Sequence, residues 1–532
     1  MQVNLEKIFE NSIPDPRKRF FVPCQRVIAG DKCSNAEVLL NSRVLQNFTN
    51  SCYPYCTIQA GGYVVLDFGK ELSGGVRLVT GLMRPCKVRL RFGESVAETC
   101  GEPNMDHAVH DYTLDLTLLS AGDYGCTGFR FVRIDALDSE LLLVNCIAAT
   151  SLADQKRIGY FKSSDELLDR IFEVSAHTVH LCIQDYVLDG IKRDRLLWAG
   201  DMHPEVLAIQ AVFGSVPQVE ATLEKLCFDT LPGSFVNGHT SYSLWTIMTL
   251  HDIWFYAGNN AILKKFQPYI TGTVERYLQM IQLDGSVDFP GHVFLDWPSH
   301  GDNLAIYGGC YALLITALQK AVNIYEVLQQ DTTPIKEALQ LLAKNIPPVG
   351  NNKSAAALQH LTGLIDRSDI LEKDPFSGIT TFIGCYVLFA KENRKALELL
   401  KKYWGGMLAM GATSFWEDFD LAWLAENPQK LDEMPIANRK NIHSDFGGYC
   451  YQGLRHSLCH GWAAGPAMWL QRQILGVTPK TPGFTEITFN PDLCGLEFAE
   501  GAIPTPHGVI TVRLEKDKAP QISLPDNIKI IK

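Results

Sequence analysis

Positive charge is in short supply in this chain. Its 532 residues carry 48 Lys and Arg against 59 Asp and Glu, a formal net charge of −11. That balance argues against nucleic acid or an anionic membrane as the main partner. Long hydrophobic runs are missing as well. No stretch approaches about eighteen consecutive apolar residues, so no membrane span is expected. Paired cysteine motifs are absent too. The 15 cysteines are odd in number and scattered through apolar contexts such as Leu181-Cys182-Ile183. Buried thiols in a reducing compartment explain them, and cytoplasmic residence is expected. Cys52 and Cys56 have no matching Cys or His pair nearby, so no metal site is expected. No phosphate loop or dinucleotide fingerprint is present, and no cofactor is expected. The opening Met1-Gln2-Val3-Asn4-Leu5-Glu6-Lys7 has no basic region leading into an apolar run, so no secretory leader is expected. Without one, the sequons at Asn47 and Asn352 carry no meaning.

The chain does have an ordinary globular composition, 46% hydrophobic and 20% charged, and enough length for several domains and a large core. Residues 1–20 read as a lead-in arm. Residues 21–154 read as β: Tyr63 to Gly69, Val88 to Phe92 and Phe129 to Ile134 are short strands between turn signals, the last two alternating apolar and charged residues as half-exposed strands should. A β-sandwich fits this pattern. From residue 155 the period changes to that of a helix. Ser163 and Glu166 form a capping-box pattern, and Pro204 suits a first helical turn. Roughly ten helices follow, some nearly apolar all round and therefore buried among others. Two layers of helices in a toroid or solenoid satisfy them, although no fixed-period repeat is visible. After residue 476 the β pattern returns at Ile487 to Phe489 and Val509 to Leu514. The fold class is multidomain α+β, with residues 155–475 as a helical body between β domains at 21–154 and 476–532.

Asp189 to Asp201 packs acids, cations, two glycines and Trp198 into one short stretch between apolar helical sequences. Gly411 to Asp420, Ser457 to Ala463 and Phe294 to Trp297 also mix aromatic and charged residues. Carboxylates beside tryptophans suit sugar chemistry, since indole faces stack on pyranose rings and acids bond hydroxyls and move protons. Glycoside hydrolysis needs one protonated and one ionised carboxyl. Asp189, Asp194 and Asp201 are candidates for the acid, and Glu417 for the base. The plainer alternative is a structural salt-bridge network with Lys192, Arg193 and Arg195. His177 and His180, three apart on a helix, read as packing residues.

Taken in order, these segments resemble the α-L-rhamnosidases of glycoside hydrolase family 78. Val65 to Glu71, Gly93-Glu94-Ser95 and Phe131 to Ile134 resemble the sandwich that precedes the catalytic domain. Asp189 to Asp201, Gly411 to Asp420 and Ser457 to His460 resemble the family's site segments, and Gly501 to Gly508 its C-terminal β domain. The resemblance implies an (α/α)6-barrel catalytic domain flanked by antiparallel β-sandwiches, and an inverting hydrolase releasing terminal α-L-rhamnose. It places the general acid at Asp194 and the general base at Glu417, with Asp189, Arg193, Trp198, Asp201, Trp297, Trp416 and His460 binding substrate. It departs from the family at Asp194, where Glu is usual, at Cys459 for Asn and at Phe419 for Trp. The expected partner is a small-molecule carbohydrate, and a homodimer is compatible with the sequence. A related six-hairpin glycosidase for another glycone, or a non-catalytic sugar-binding protein on the same fold, are the alternatives.

Overall fold

The structure, a computed structural model, describes residues 12–40, 54–81, 84–102, 110–231, 233–373, 377–449 and 451–531. Its N-terminal part is a seven-stranded sheet of β1 (Arg17–Pro23), β2 (Arg26–Ser34), β3 (Cys56–Thr80), β4 (Cys86–Gly93), β5 (Asp111–Leu116), β6 (Ala121–Ala136) and β7 (Leu141–Ala153), ordered β1-β7-β3-β6-β4-β5 with β2 also on β3. β3 turns a corner between Asp67 and Leu72, where the register with β6 breaks and Gly69 takes a φ of +83°, a conformation glycine adopts without steric cost. Phe68, Phe92 and Phe129 meet edge to face inside this sheet. Two expectations need correction. The sheet is not antiparallel throughout, because β3 runs parallel to β7. The lead-in arm ends earlier than residue 20, because β1 starts at Arg17 and pairs with β7; residues 1–11, Cys52 and the Asn47 sequon lie outside the described residues. β6 is also more buried than its alternation suggested, since Phe129 to Val132 are all covered.

A short strand, β8 (Tyr160–Ser163), opens the next part and pairs with the C-terminal sheet through Phe498–Thr505. Ser163 therefore ends a strand, and its hydroxyl and backbone N–H both donate to Asp169. The expected capping box gives way to Asp165, whose carboxylate accepts from the Leu167 N–H.

Among the described residues twelve helices follow in alternation: α1 (Glu166–Cys182), α2 (Ala199–Val212), α3 (Pro217–Phe228), α4 (Thr240–Ala257), α5 (Asn260–Leu278), α6 (Asn303–Val327), α7 (Thr333–Leu342), α8 (Lys353–Leu361), α9 (Ser368–Leu371), α10 (Thr381–Ala390), α11 (Asn393–Ala409) and α12 (Pro466–Trp469). Most even-numbered helices are buried nearly all round, and α2 has no exposed residue. The longer odd-numbered ones carry a single apolar stripe. Each even-numbered helix packs on the next, and α12 returns to α2. The odd-numbered helices lie outside this closed circuit.

The periodicity missed three features. The helix expected over 457–474 is broken into a 3-10 turn at Gly461–Ala464, α12 and a π turn at Leu470–Ile474, with Gly465 and Pro466 at the first join. α2 begins five residues before Pro204, because Asn237 caps it from outside by accepting from the Ala199 N–H at 2.9 Å and donating to the Leu197 carbonyl at 3.0 Å. α6 is long and apolar enough by length and composition to cross a membrane, which the lack of an unbroken apolar run did not anticipate, and 67% of that window is buried inside the protein. Asn352, read above as an idle sequon, caps α8.

The chain closes with strands Phe498–Thr505 and Gly508–Glu515 in a four-stranded sheet, and Val477–Pro479 and Glu486–Phe489 in a three-stranded one.

The N-terminal sheet is tied to the helical body through buried charge. Asp67 accepts from Arg130 at both carboxylate oxygens, at 2.9 and 3.0 Å, and Arg130 also donates to the Gly411 carbonyl at 2.9 Å. His177 and His180 act as packing residues of this interface, bonded to the Glu71 and Ala153 carbonyls. Removing one partner of a buried pair strands the other charge. Asp67→Ala is therefore expected to lower stability by about 3–5 kcal/mol, read from the first transition in a denaturant melt. A loss under about 1 kcal/mol, typical of surface pairs, would contradict the assignment.

Candidate active site

A cavity of about 790 Å³ opens at the N-terminal ends of the inner helices. That volume suits a drug-sized ligand, larger than a single sugar ring. Its walls come from the loops before α2, α4, α6 and α12. Helix N-termini present unpaired N–H groups and favour negative charge, and the floor is acidic: Asp189, Asp194, Asp201 and Glu417 all line it.

Glu417 is fully buried. Its Oε2 takes a hydrogen bond from Arg193 Nη2, and its Oε1 lies 3.8 Å from His460 Nδ1. Burial alone would raise its pKa; the His460 and Arg193 charges outweigh that and hold it below the usual carboxylate value. Arg193 also bonds Asp194 through Nη1 at 3.1 Å, so one guanidinium carries both carboxylates. Its Nε donates to the Arg455 carbonyl at 3.0 Å, and Tyr451 lies under its face.

His460 Nε2 bonds Asp201 at 2.9 Å. Burial disfavours the imidazolium, but Glu417 and Asp201 overcome this and push its pKa up to about 9. Two glycines make this packing possible. A Cβ on Gly190 would come within 3.3 Å of His460 Nδ1, and one on Gly461 would overlap Glu205. Asp189 accepts from the Leu196 N–H at 2.8 Å, and burial raises its pKa well above the ordinary value despite the His460 charge. Burial likewise raises Asp201, with the His460 hydrogen bond opposing. Asp194 differs from these: its side chain is 23% exposed, and it and Arg195 hold consecutive positive φ angles of 56° and 54°.

Trp198 and Trp297 stand on the cavity wall. Trp198 meets Tyr242 edge on, and Trp297 donates from Nε1 to the Tyr451 hydroxyl at 2.6 Å. Trp416 does not belong to this wall. It is fully buried behind Glu417, edge on to Phe419 and His456, so its expected substrate contact is corrected to a packing role. Phe419 sits in the same core, and its difference from the family pattern does not reach the cavity. Of the residues expected at the site, Asp189, Arg193, Asp194, Trp198, Asp201, Trp297, Glu417 and His460 are brought together. Tyr242, His239, His292, Tyr451 and Trp462 were missed. Trp462 lay within a stretch already singled out, and it donates to the Glu417 carbonyl at 3.0 Å. Tyr451 had only a glycine- and tyrosine-rich neighbourhood as a signal. His239 and His292, whose Nδ1 atoms share a hydrogen bond of 2.7 Å, had none.

A raised histidine pKa makes stability depend on pH. His460 goes from 6.5 to about 9 on folding, so its contribution is complete below pH 6.5 and is lost as pH rises through 9. That contribution is roughly 3 kcal/mol at most. Denaturant melts from pH 6 to 10 should show wild-type stability declining across this window and a flatter profile in His460→Gln. Parallel profiles would contradict a charged His460.

Residues 156–306 match the bacterial alpha-L-rhamnosidase 6 hairpin glycosidase domain, and residues 476–527 the bacterial alpha-L-rhamnosidase C-terminal domain. An alpha-L-rhamnosidase of Alteromonas sp. (strain LOR) is 24% identical over 514 residues, covering 84% of this chain and 53% of that protein. This chain thus spans about half the length of that curated relative. Among solved structures, the GH78 family rhamnosidase of Bacillus sp. GL1 matches with a TM-score of 0.71 at 20% identity, over 93% of this chain and 55% of its own. The rhamnosidase from Klebsiella oxytoca with rhamnose bound matches with a TM-score of 0.67 at 22% identity, over 86% and 96%. These likenesses establish a shared fold. Two stretches of the chain thus match the six-hairpin glycosidase and C-terminal domains of bacterial α-L-rhamnosidases.

Proposed function

We propose that this chain is an inverting glycoside hydrolase releasing terminal α-L-rhamnose from small rhamnosides or oligosaccharides. One observation carries the reading: two carboxyls in unlike settings, Glu417 buried and held ionised and Asp194 more exposed, on the wall of a cavity large enough for a sugar and its leaving group. In this reading the circuit of paired helices is an (α/α)6 barrel, and the sheets flank it as β-sandwiches. The free, buried thiols among the described residues support a reducing compartment as its setting.

Glu417, held ionised by His460 and Arg193, takes a proton from water as that water attacks the anomeric carbon. Asp194 is the acid. Its side chain is 23% exposed, against 4% for Asp201 and 1% for Glu417, and it gives its proton to the glycosidic oxygen as the carbon–oxygen bond breaks. After one turnover the two carboxyls have exchanged protonation states, and solvent resets them. Asp189, which burial keeps from ionising easily, and Asp201, paired with His460, are suited to bond sugar hydroxyls. Trp198 and Trp297 offer ring faces for the apolar side of the sugar. An inverting site needs roughly 6.5–9.5 Å between its carboxyls to admit water.

Glu417→Gln is expected to lower kcat on an aryl α-L-rhamnoside by about 10²–10⁴. Asp194→Asn should lose less on an activated nitrophenyl leaving group than on an unactivated sugar, because the acid matters most for a poor leaving group. Proton NMR of early product should show the β anomer first. Activity retained in Glu417→Gln, or the α anomer first, would reject the reading.

A further inference from the structure

The mechanism makes no use of the second large group of buried charges. Glu94 and Glu98 lie at the end of β4 and on the single helical turn after it, and Lys192 directly precedes Arg193. Lys192 Nζ is 3.0 Å from Glu98 Oε1 and 3.2 Å from Glu94 Oε2. It also donates to the carbonyls of Leu454 at 2.9 Å and His456 at 2.8 Å. Glu71 lies close by and is also fully buried, so this one ammonium faces three carboxyls. Burial pushes Glu94 up to about 7 even with Lys192 beside it. Buried ion clusters are poor sources of stability, since desolvation consumes most of the attraction. Glu94, Glu98 and His443 are close enough together to be metal ligands. However, Lys192 already supplies the positive charge, and His443 is engaged by Ser95 at 2.7 Å and by the His456 carbonyl at 3.0 Å.

The geometry of residues 454–458 shows what the cluster does. Their backbone groups alternate between two sides. The carbonyls of Leu454 and His456 accept from Lys192, and the Leu458 N–H donates to Glu94 Oε2 at 2.7 Å. The carbonyl of Arg455 accepts from Arg193 Nε at 3.0 Å, and that of Ser457 accepts from the Glu417 N–H at 3.0 Å. Even positions are held by the charge cluster, and odd positions hold the catalytic pair.

We propose that Lys192, Glu94 and Glu98 are positioning residues for Arg193 and Glu417, acting through the backbone of residues 454–458. The N-terminal sheet thereby supplies part of the active-site framework. The activity readout of this inference rests on the hydrolase reading above; its structural readout does not.

The test is Lys192→Met, with Glu98→Gln as a second variant that preserves volume and carries the test if the first does not fold. The groups facing Glu417 are His460, Arg193, His456, Asp201 and Asp418. Of these, loosening residues 454–458 frees Arg193 and His456, and only Arg193 carries a charge at neutral pH, because burial lowers His456 to about 3. kcat should fall at least about tenfold with KM little changed. The acid limb of the kcat/KM profile should move to higher pH as Glu417 loses its cation, and Lys192→Arg should partly restore both. A purely structural role would lower Tm and leave the acid limb in place, and a folded variant with that result overturns the proposal. Crystal structures of wild type and variant decide independently of substrate: an Arg193–Glu417 contact unchanged in Lys192→Met also overturns it. Absence of any rhamnoside turnover by the wild type would reject the hydrolase reading instead, and the crystallographic comparison would still judge the positioning role.

Discussion

Keeping Glu417 ionised although its side chain is buried is the constraint that organises this molecule. An uncompensated buried carboxylate costs several kcal/mol and would protonate instead. Two cations prevent this, and each must itself be satisfied. His460 leans on Asp201 in the first turn of α2. Arg193 spends its remaining donors on Asp194 and the Arg455 carbonyl. Arg455 belongs to the segment gripped by Lys192, and Lys192 is paired with carboxylates of the N-terminal sheet. The need to hold one charge thus spreads outward, from the cavity through the backbone of residues 454–458 to a different sheet. The same sheet reaches the loop bearing Glu417 a second time, through Arg130 to the Gly411 carbonyl and through the Glu71 N–H to Thr413.

Local physics made much of this legible in the sequence. Periodicity distinguishes strand from helix wherever an element has one wet face, as in α1 and α5. It loses power where both faces are dry. β6 looked half-exposed because arginines interrupt its apolar residues, yet Arg130 is buried against Asp67, a partner 63 residues away. α6 passes as a membrane helix by composition because the inner layer of a helical ring must be apolar all round. Pro204 suggested a helix start, but the start was decided by Asn237, which no local rule connects to residue 199. The site shows the same division. Acids and aromatics clustered in sequence were found at the cavity. Trp416 and Trp462, similar in context, separated into core and wall because the backbone after Trp416 turns Glu417 inward and leaves the indole behind. His239, His292 and Tyr451 come from separate loops, and only tertiary packing brings them to the same cavity.

Residues 192–195 show how tightly the chain is committed here. Four successive side chains go to four destinations: Lys192 to the sheet's carboxylates, Arg193 to Glu417 and the Asp194 carboxyl, Asp194 to the cavity, and Arg195 to the Cys126 carbonyl at 2.7 Å. No regular element can do this, because helices and strands repeat their side-chain directions. The chain manages it with consecutive left-handed residues at Asp194 and Arg195, a conformation that costs of order 1–3 kcal/mol for a non-glycine residue and persists only where the surroundings enforce it. Here they do: the Leu196 N–H is fixed on Asp189, the Arg195 N–H on the Arg193 carbonyl, and both flanking cations are anchored.

That backbone bears on the aspartate standing where the resembled family has glutamate. Among non-glycine residues, Asp and Asn are those that tolerate the left-handed region best, because a short polar side chain can bond locally. Asp194 does so through Arg193 Nη1. A glutamate in the same turn would meet a higher backbone cost and carry a longer, freer side chain. The shorter acid and the left-handed turn are therefore best understood together. The turn aims a short side chain into the cavity, and the anchored flanks of residues 192–196 hold that shorter carboxyl in place.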